Sequence, residues 1–224
     1  MEHAVQPLIF YPSNRPEDPR FAEGAVLCLR MAREWFAREL NGKTFRLAEP
    51  VMFRSQFSER ELHVRHRRDG ERDEAELWTG AMREAIHCGA VTGGPDRVYY
   101  FVLVGEGWTG RAWQRDYFGC AAYIAGQAAE VMAGMRESTR KNDYLKGLTA
   151  AAGLMAHELA HCFSYFGAKH LDNLERLDGA WDNLMGMGYT QFPECILNQD
   201  QRESLSASPF LADTGTLLST WRAV

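Results

Sequence analysis

The sequence has little cysteine, no excess of basic charge, no internal repeat, no low-complexity linker and no apolar run of membrane-spanning length. Each shortage removes a class of protein. A bilayer-crossing helix needs roughly 20 consecutive apolar residues, and no segment supplies them, so no membrane partner is expected. The five cysteines, Cys28, Cys88, Cys120, Cys162 and Cys195, are odd in number and lack CxxC spacing, which argues against a disulfide framework and excludes a zinc ribbon. Lys and Arg number 25 against 30 Asp and Glu, a formal net charge of −5, whereas nucleic-acid binders usually carry a basic face. The locally basic stretch Arg60 to Arg68 is diluted by Asp69, Glu71, Asp73 and Glu74 and reads as a solvated loop or strand edge. No cysteine or carboxylate cluster completes a metal site around His63 and His66, and calcium loops of the Asp-x-Asp-x-Asp type are missing. The first residues, Met-Glu-His-Ala-Val-Gln, show no basic region followed by a long apolar stretch. The expected compartment is therefore the cytoplasm, or outside the cell if a leader has been trimmed.

What is present fits one domain. At 224 residues the chain can bury a substantial core, and nothing divides it, so residues 1–224 read as a single unit. Pro12 to Pro19 and Ser55 to Asp73, rich in proline or charge, read as surface connections. Leu8 to Tyr11 suits a first strand. Phe21 to Leu40 carries apolar residues at helical spacing, through Ala25, Leu29, Ala32, Trp35 and Phe36, and Gly42 ends it. Phe45, Leu47, Val51 and Phe53 read as strand, Ala75 to Ile86 as a second amphipathic helix, and Val98 to Val104 as a strand buried on both faces. Helices alternating with strands predict an α/β sheet.

The chemistry is concentrated in Met155 to Cys162, Met-Ala-His-Glu-Leu-Ala-His-Cys, which spells HExxH with His157, Glu158 and His161. Two histidines four positions apart project from one side of a helix, one turn apart, so both imidazoles can reach one metal ion. Zn²⁺ suits two neutral imidazoles and one further protein ligand, with the fourth position left for water, and Glu158 stands where a base for that water is needed. The setting agrees: from about Tyr144 to Phe166 the chain is rich in Ala, Leu and Met without proline, and Gly167 follows where a left-handed C′ residue would end a helix. The bland alternative is a core helix whose histidines are satisfied by hydrogen bonds.

Downstream, Gly167 is followed three positions later by His170, and Asp182-Asn183-Leu184-Met185-Gly186-Met187-Gly188-Tyr189 forms a glycine-rich, methionine-bearing turn. These features resemble the metzincin zinc peptidases, whose motif HExxHxxGxxH returns a third histidine to the metal above a Met-turn. The stretch opened by Asn198-Gln199-Asp200-Gln201 is similar to the short C-terminal helix after that turn, and Asn198 with Gln201 has the form of a capping box. In the family the glycine stands three positions after the second histidine, where this chain has Ser164. The three extra residues lengthen the helix by about 4.5 Å, and Ala168, Lys169 and His170 can span roughly 10 Å when extended, enough to bring an imidazole back alongside His161. Asp172 is the rival third ligand, since carboxylates bind zinc at about 2.0 to 2.2 Å. A gluzincin arrangement would use Glu175 or Glu194 instead, but neither has a convincing helical setting.

The resemblance implies a metzincin-like catalytic domain with a twisted mixed sheet, two N-terminal helices, a zinc helix, a Met-turn and a C-terminal helix. Residues 1–166 would form its upper half and 167–224 its lower half. It implies zinc held by His157, His161 and His170 or Asp172, Glu158 as general base, and Met185 or Met187 as the turn methionine. Tyr189 falls at the spacing of a zinc-facing tyrosine if Met187 is that residue. Trp35 to Leu47 also looks like the opening of a group of uncharacterised bacterial metzincin-like proteins. In the family an edge strand pairs with the substrate; Gly119, Cys120 and Ala121 are the small-residue candidates for it, against the alternative of an inner strand. Gly105 to Arg115, with Trp108 and Trp113, is the candidate rim or lid. The expected function is a zinc metallopeptidase acting on a peptide or protein. The alternatives are a zinc-bearing binding or scaffold domain and a zinc amidohydrolase on a small substrate. Substrate preference and oligomeric state are not legible.

Overall fold

The computed structural model describes residues 3–65, 74–92, 94, 96–105, 110–115, 119–135, 147–169, 171 and 181–213. The chain runs β1 (Ala4–Tyr11), α1 (Pro19–Glu39), β2 (Lys43–Thr44), β3 (Val51–Arg54), α2 (Glu59–Arg65), α3 (Glu74–His87), β4 (Arg97–Leu103), β5 (Gly110–Arg115), β6 (Gly119–Ala125), α4 (Gly126–Met132), α5 (Gly147–Tyr165), a 3₁₀ turn (Gly188–Gln191), α6 (Gln199–Ser206) and β7 (Ala212–Asp213). Five strands form one sheet in the order β3-β1-β4-β6-β5, parallel except for the antiparallel edge strand β5. The fold is thus mixed α/β with a mainly parallel central sheet and six α-helices among the described residues.

Strand β4 explains the layering. Its side chains alternate between faces, and both faces are apolar, so both need cover. Val98, Tyr100 and Val102 join a core with α1, α4 and α5, while Tyr99, Phe101 and Leu103 join a second core with Leu62 of α2 and Trp78, Ala81, Met82 and Ala85 of α3. Parallel neighbours β1 and β6 hold β4 in register, Leu8 opposite Phe101 and Ala122 opposite Tyr100. Among the described residues no helix is long and apolar enough to cross a membrane.

The ends of the elements follow local chemistry. Helix α1 begins two residues before the expected Phe21 because the Asp18 carboxylate caps the backbone N–H of Arg20 at 3.0 Å and Pro19, with its φ preset, opens the helix. The expected surface connection Ser55 to Asp73 needs correction. Its first part holds helix α2, and Ser55, Glu59 and Leu62 are buried. The overlooked signal is Ser58-x-x-Glu61, a capping box in which Glu61 N–H donates to Ser58 Oγ at 3.3 Å and Ser58 N–H donates to the Glu61 carboxylate at 2.7 Å. The expected strand through Phe45, Leu47, Val51 and Phe53 is broken before Pro50: Lys43–Thr44 pairs with β7, Leu47 bridges to Val5, and only Val51–Arg54 joins the sheet.

Helix α5 lies against α1, α4 and the sheet, every residue from Ala150 to Ser164 buried. Aromatic rings lock it at its C-terminal end, where Phe163 stands 5.5 Å from Phe36 and 5.5 Å from Phe45, ring centre to ring centre. The indole of Trp35 donates to the Cys195 carbonyl at 3.1 Å, tying α1 to the segment before α6.

Cys28, Cys88, Cys162 and Cys195 are all free thiols. Burial pushes Cys28 up to about 12 and Cys195 up to about 12, whereas Cys88 is exposed. At pH 8 a disulfide reagent should label Cys88 at once in the native protein and reach Cys28 and Cys195 only after unfolding, because thiols, not thiolates, occupy the core. Mass mapping of labelled peptides checks this, and rapid native labelling of Cys28 would contradict the packing of α1 on α5.

Candidate metal centre

His157, Glu158 and His161 all lie in the buried middle of α5, 7%, 5% and 9% exposed. The helix is apolar around most of its circumference, so three polar side chains there need partners. His157 finds one outside the helix: its Nδ1 lies 2.7 Å from the Leu184 carbonyl. A carbonyl oxygen only accepts, so Nδ1 carries the hydrogen and Nε2 is left with its lone pair. That Nε2 stands 3.1 Å from the Nε2 of His161, with the rings close to perpendicular at 78°. Two nitrogens bound to one zinc ion at about 2.0 to 2.1 Å in tetrahedral geometry lie roughly 3.3 Å apart. The pair fits a shared divalent cation, and the Leu184 carbonyl is the kind of outer partner that orients a metal-binding imidazole.

Glu158 is displaced about 100° around the helix from His157. Beneath this part of α5 lies Tyr100 of β4, fully buried, with no hydrogen-bond partner for its hydroxyl among the described residues. Burial holds its phenol well above the usual range, and the negative charge of Glu158 adds to the effect. Tyr100 therefore stays neutral under the helix. Spacing alone gave no hint of it, since Val98 to Val104 reads only as a buried strand.

The segment after α5 returns toward the helix. Ser164, standing where the metzincin pattern has its glycine, donates from Oγ to the His161 carbonyl at 2.8 Å and accepts from the Leu171 N–H at 3.2 Å. Leu171 is thereby fastened one helical turn from His161, and it is the residue between the two candidate ligands His170 and Asp172. Those two, and Glu175, lie outside the described residues. Among the described residues no group of three or more His, Cys, Asp or Glu side chains gathers as a metal site. Glu194 is exposed in a bend rather than on a helix.

Gly167 serves a purpose other than the one expected. Its φ is not in the left-handed region; instead a Cβ there would come within 2.3 Å of the Ser204 carbonyl of α6. The chain passes this close because α6 straps it down: Lys169 N–H donates to Ser204 Oγ at 3.0 Å, and that hydroxyl donates to the Lys169 carbonyl.

The methionine-bearing turn sits under His157. Met185 is fully buried, while Met187 is half-buried and its sulfur accepts from the Tyr189 hydroxyl at 3.7 Å. The Tyr189 ring stands edge-on to His157, centres 5.5 Å apart. Asn198 and Gln201 form the capping box of α6, Gln201 N–H donating to Asn198 Oδ1 at 2.9 Å and Asn198 N–H to Gln201 Oε1 at 2.8 Å.

The substrate-strand candidates need correction. Gly119, Cys120 and Ala121 belong to β6, which is paired on both sides, Ala121 opposite Tyr99 of β4 and opposite Trp113 of β5. An inner strand has no free main-chain groups to offer a peptide. The edge next to α5 is β5, part of the stretch read as a rim; of that stretch, 106–109 lie outside the described residues.

No protein-family model matches the sequence, and no curated protein matches it. The fold is similar to the crystal structure of wild-type OgpA from Akkermansia muciniphila, with a TM-score of 0.57 at 13% identity over 93% of this chain. The chain spans 61% of that protein's length. At this identity the likeness is one of fold.

The approach of α5 to the 3₁₀ turn rests on Gly153, where a Cβ would fall 2.2 Å from the Tyr189 carbonyl. Gly153→Ala should drive α5 from the turn and cost on the order of 1–3 kcal/mol in urea unfolding. Unchanged stability would remove this contact from the support of the site.

Proposed function

We propose that the protein is a metzincin-like zinc metallopeptidase. The observation that carries this reading is the buried histidine pair, with His157 held in one tautomer by the Leu184 carbonyl and the two Nε2 atoms 3.1 Å apart. With the His157 hydrogen on Nδ1, its Nε2 faces that of His161 at a separation close to that of two nitrogens on one zinc ion. His157 and His161 are two of the ligands, and the segment pinned at Leu171 offers His170 or Asp172 as the third. Zinc in this position supplies Lewis-acid polarisation of a water and of the scissile carbonyl.

The chain's own residues do the rest. Glu158 takes the proton of the attacking water and delivers it to the leaving amine, as a general base and then a general acid. Its buried setting in the middle of α5 keeps competing solvent away. Met185, buried beside the peptide that holds His157, is the turn methionine of this reading. The side of β5 that pairs with no strand among the described residues is where an extended peptide would add as a strand, through main-chain hydrogen bonds. A zinc-holding binding domain is the second reading, and the HExxH glutamate, which a pure binder does not need, speaks against it.

A metal assay joined to a peptide-library digest tests the proposal. The parent protein should contain one equivalent of zinc and cleave peptides. Glu158→Gln should keep the zinc and lose at least about 100-fold in kcat. Full activity in Glu158→Gln, or a parent without stoichiometric metal, would end the assignment. Tyr189→Phe should lower turnover while zinc affinity stays constant; identical kinetics would take the Tyr189 hydroxyl out of the mechanism.

A further inference from the structure

The carbonyl that orients His157 belongs to the planar peptide unit joining Leu184 to Met185, so whatever fixes the N–H of that unit also fixes the direction of its C=O. The N–H of Met185 donates to Asn183 Oδ1 at 2.9 Å. On the opposite side of the same plane, the Leu184 oxygen faces His157 Nδ1 at 2.7 Å. Asn183 is itself held by a pair of amide bonds: its Nδ2 donates to Gln201 Oε1 at 2.8 Å, and Gln201 Nε2 donates back to Asn183 Oδ1 at 3.0 Å. Such a pairing admits one orientation of the Asn183 amide, because a flip sets donor against donor and acceptor against acceptor. Gln201 is completely buried and Asn183 is 6% exposed, so a broken bond leaves polar groups unpaired without water to replace them. The Gln201 Oε1 also accepts from the backbone N–H of Asn198 at 2.8 Å, a bond that does not involve the Asn198 side chain.

We propose that Gln201 and Asn183 are positioning residues for the metal centre. They form a relay that runs from α6 through Asn183 to the Leu184–Met185 peptide and ends at the imidazole of His157. The relay sets the His157 tautomer and ring direction before a cation arrives. This inference rests on the zinc-peptidase reading above, and it adds a hydrogen-bonded pair, distant from the ligands in sequence, on which zinc affinity depends.

Gln201→Met removes both amide bonds, and the bond from the Asn198 N–H, at similar volume; Gln201→Glu, nearly the same shape, keeps the acceptor and replaces the Nε2 donor with a carboxylate oxygen. Zinc affinity, measured by chelator competition, should fall roughly 10–100-fold in Gln201→Met and by less in Gln201→Glu, the range typical of lost outer-shell partners. In the metal-free protein, imidazole ¹⁵N shifts should report a single His157 tautomer in the parent and a mixture in Gln201→Met. Asn198→Ala, which removes the cap of the same helix but leaves the amide pair, should lower stability with zinc affinity and tautomer unchanged. Parent-like affinity and a single tautomer in folded Gln201→Met would overturn the relay while leaving the zinc reading standing. If Gln201→Met does not fold, the same result in Gln201→Glu overturns it. An equal loss of affinity in Asn198→Ala would reduce the pair to a structural role and overturn it as well. A parent that binds no zinc would take both readings down together.

Discussion

The hydrogen bond from His157 Nδ1 to the Leu184 carbonyl is the contact on which the rest of the site depends. It joins α5, packed on the sheet, to a turn 27 residues further along the chain. Without it the imidazole could carry its hydrogen on either nitrogen, and the buried Nε2 pair would have no defined donor geometry. With it, the helix, the turn and α6 become one polar assembly inside an apolar body. Gly153 allows the helix to approach the turn, Ser164 fastens the chain leaving the helix, and Ser204 straps that chain to α6.

The sheet makes this assembly possible by fixing α5. Because β4 is apolar on both faces, it is covered on both, and α5 occupies one cover together with α1 and α4. The ring cluster of Phe36, Phe45 and Phe163 sets the helix lengthwise, and Tyr100 fills the space beneath Glu158. A histidine pair on a loosely held helix would not keep a 3.1 Å separation. Rigidity here comes from packing, and the hydrogen bonds then choose one geometry within it.

Much of this was legible in the residues. HExxH on a helix, the strands at Leu8 to Tyr11 and Val98 to Val104, and the capping box at Asn198 all follow from spacing and local chemistry, which neighbouring residues decide among themselves. The Ser58-x-x-Glu61 cap was equally local and was masked by the charge around it. Other features could not be read. Whether Gly119 to Ala121 lies at an edge depends on which strands flank it, and periodicity carries no record of neighbours. The role of Gly167 was misjudged for the same reason: a glycine after a helix suggests a left-handed turn, but here it serves the close passage of the Ser204 carbonyl, 37 residues away in sequence.

The sequence alone determined that two imidazoles share one side of a buried helix with a carboxylate beside them, because the rise and twist of an α-helix permit nothing else. It also determined a mainly apolar, alternating α/β body. Only the tertiary structure decided which ring nitrogen of His157 bears the hydrogen, which methionine lies buried under it, and which strand stands at the edge beside α5. Those depend on contacts between segments far apart in the chain, and long-range contacts are selected by packing and by the pairing of buried polar groups, neither of which any short stretch of residues contains.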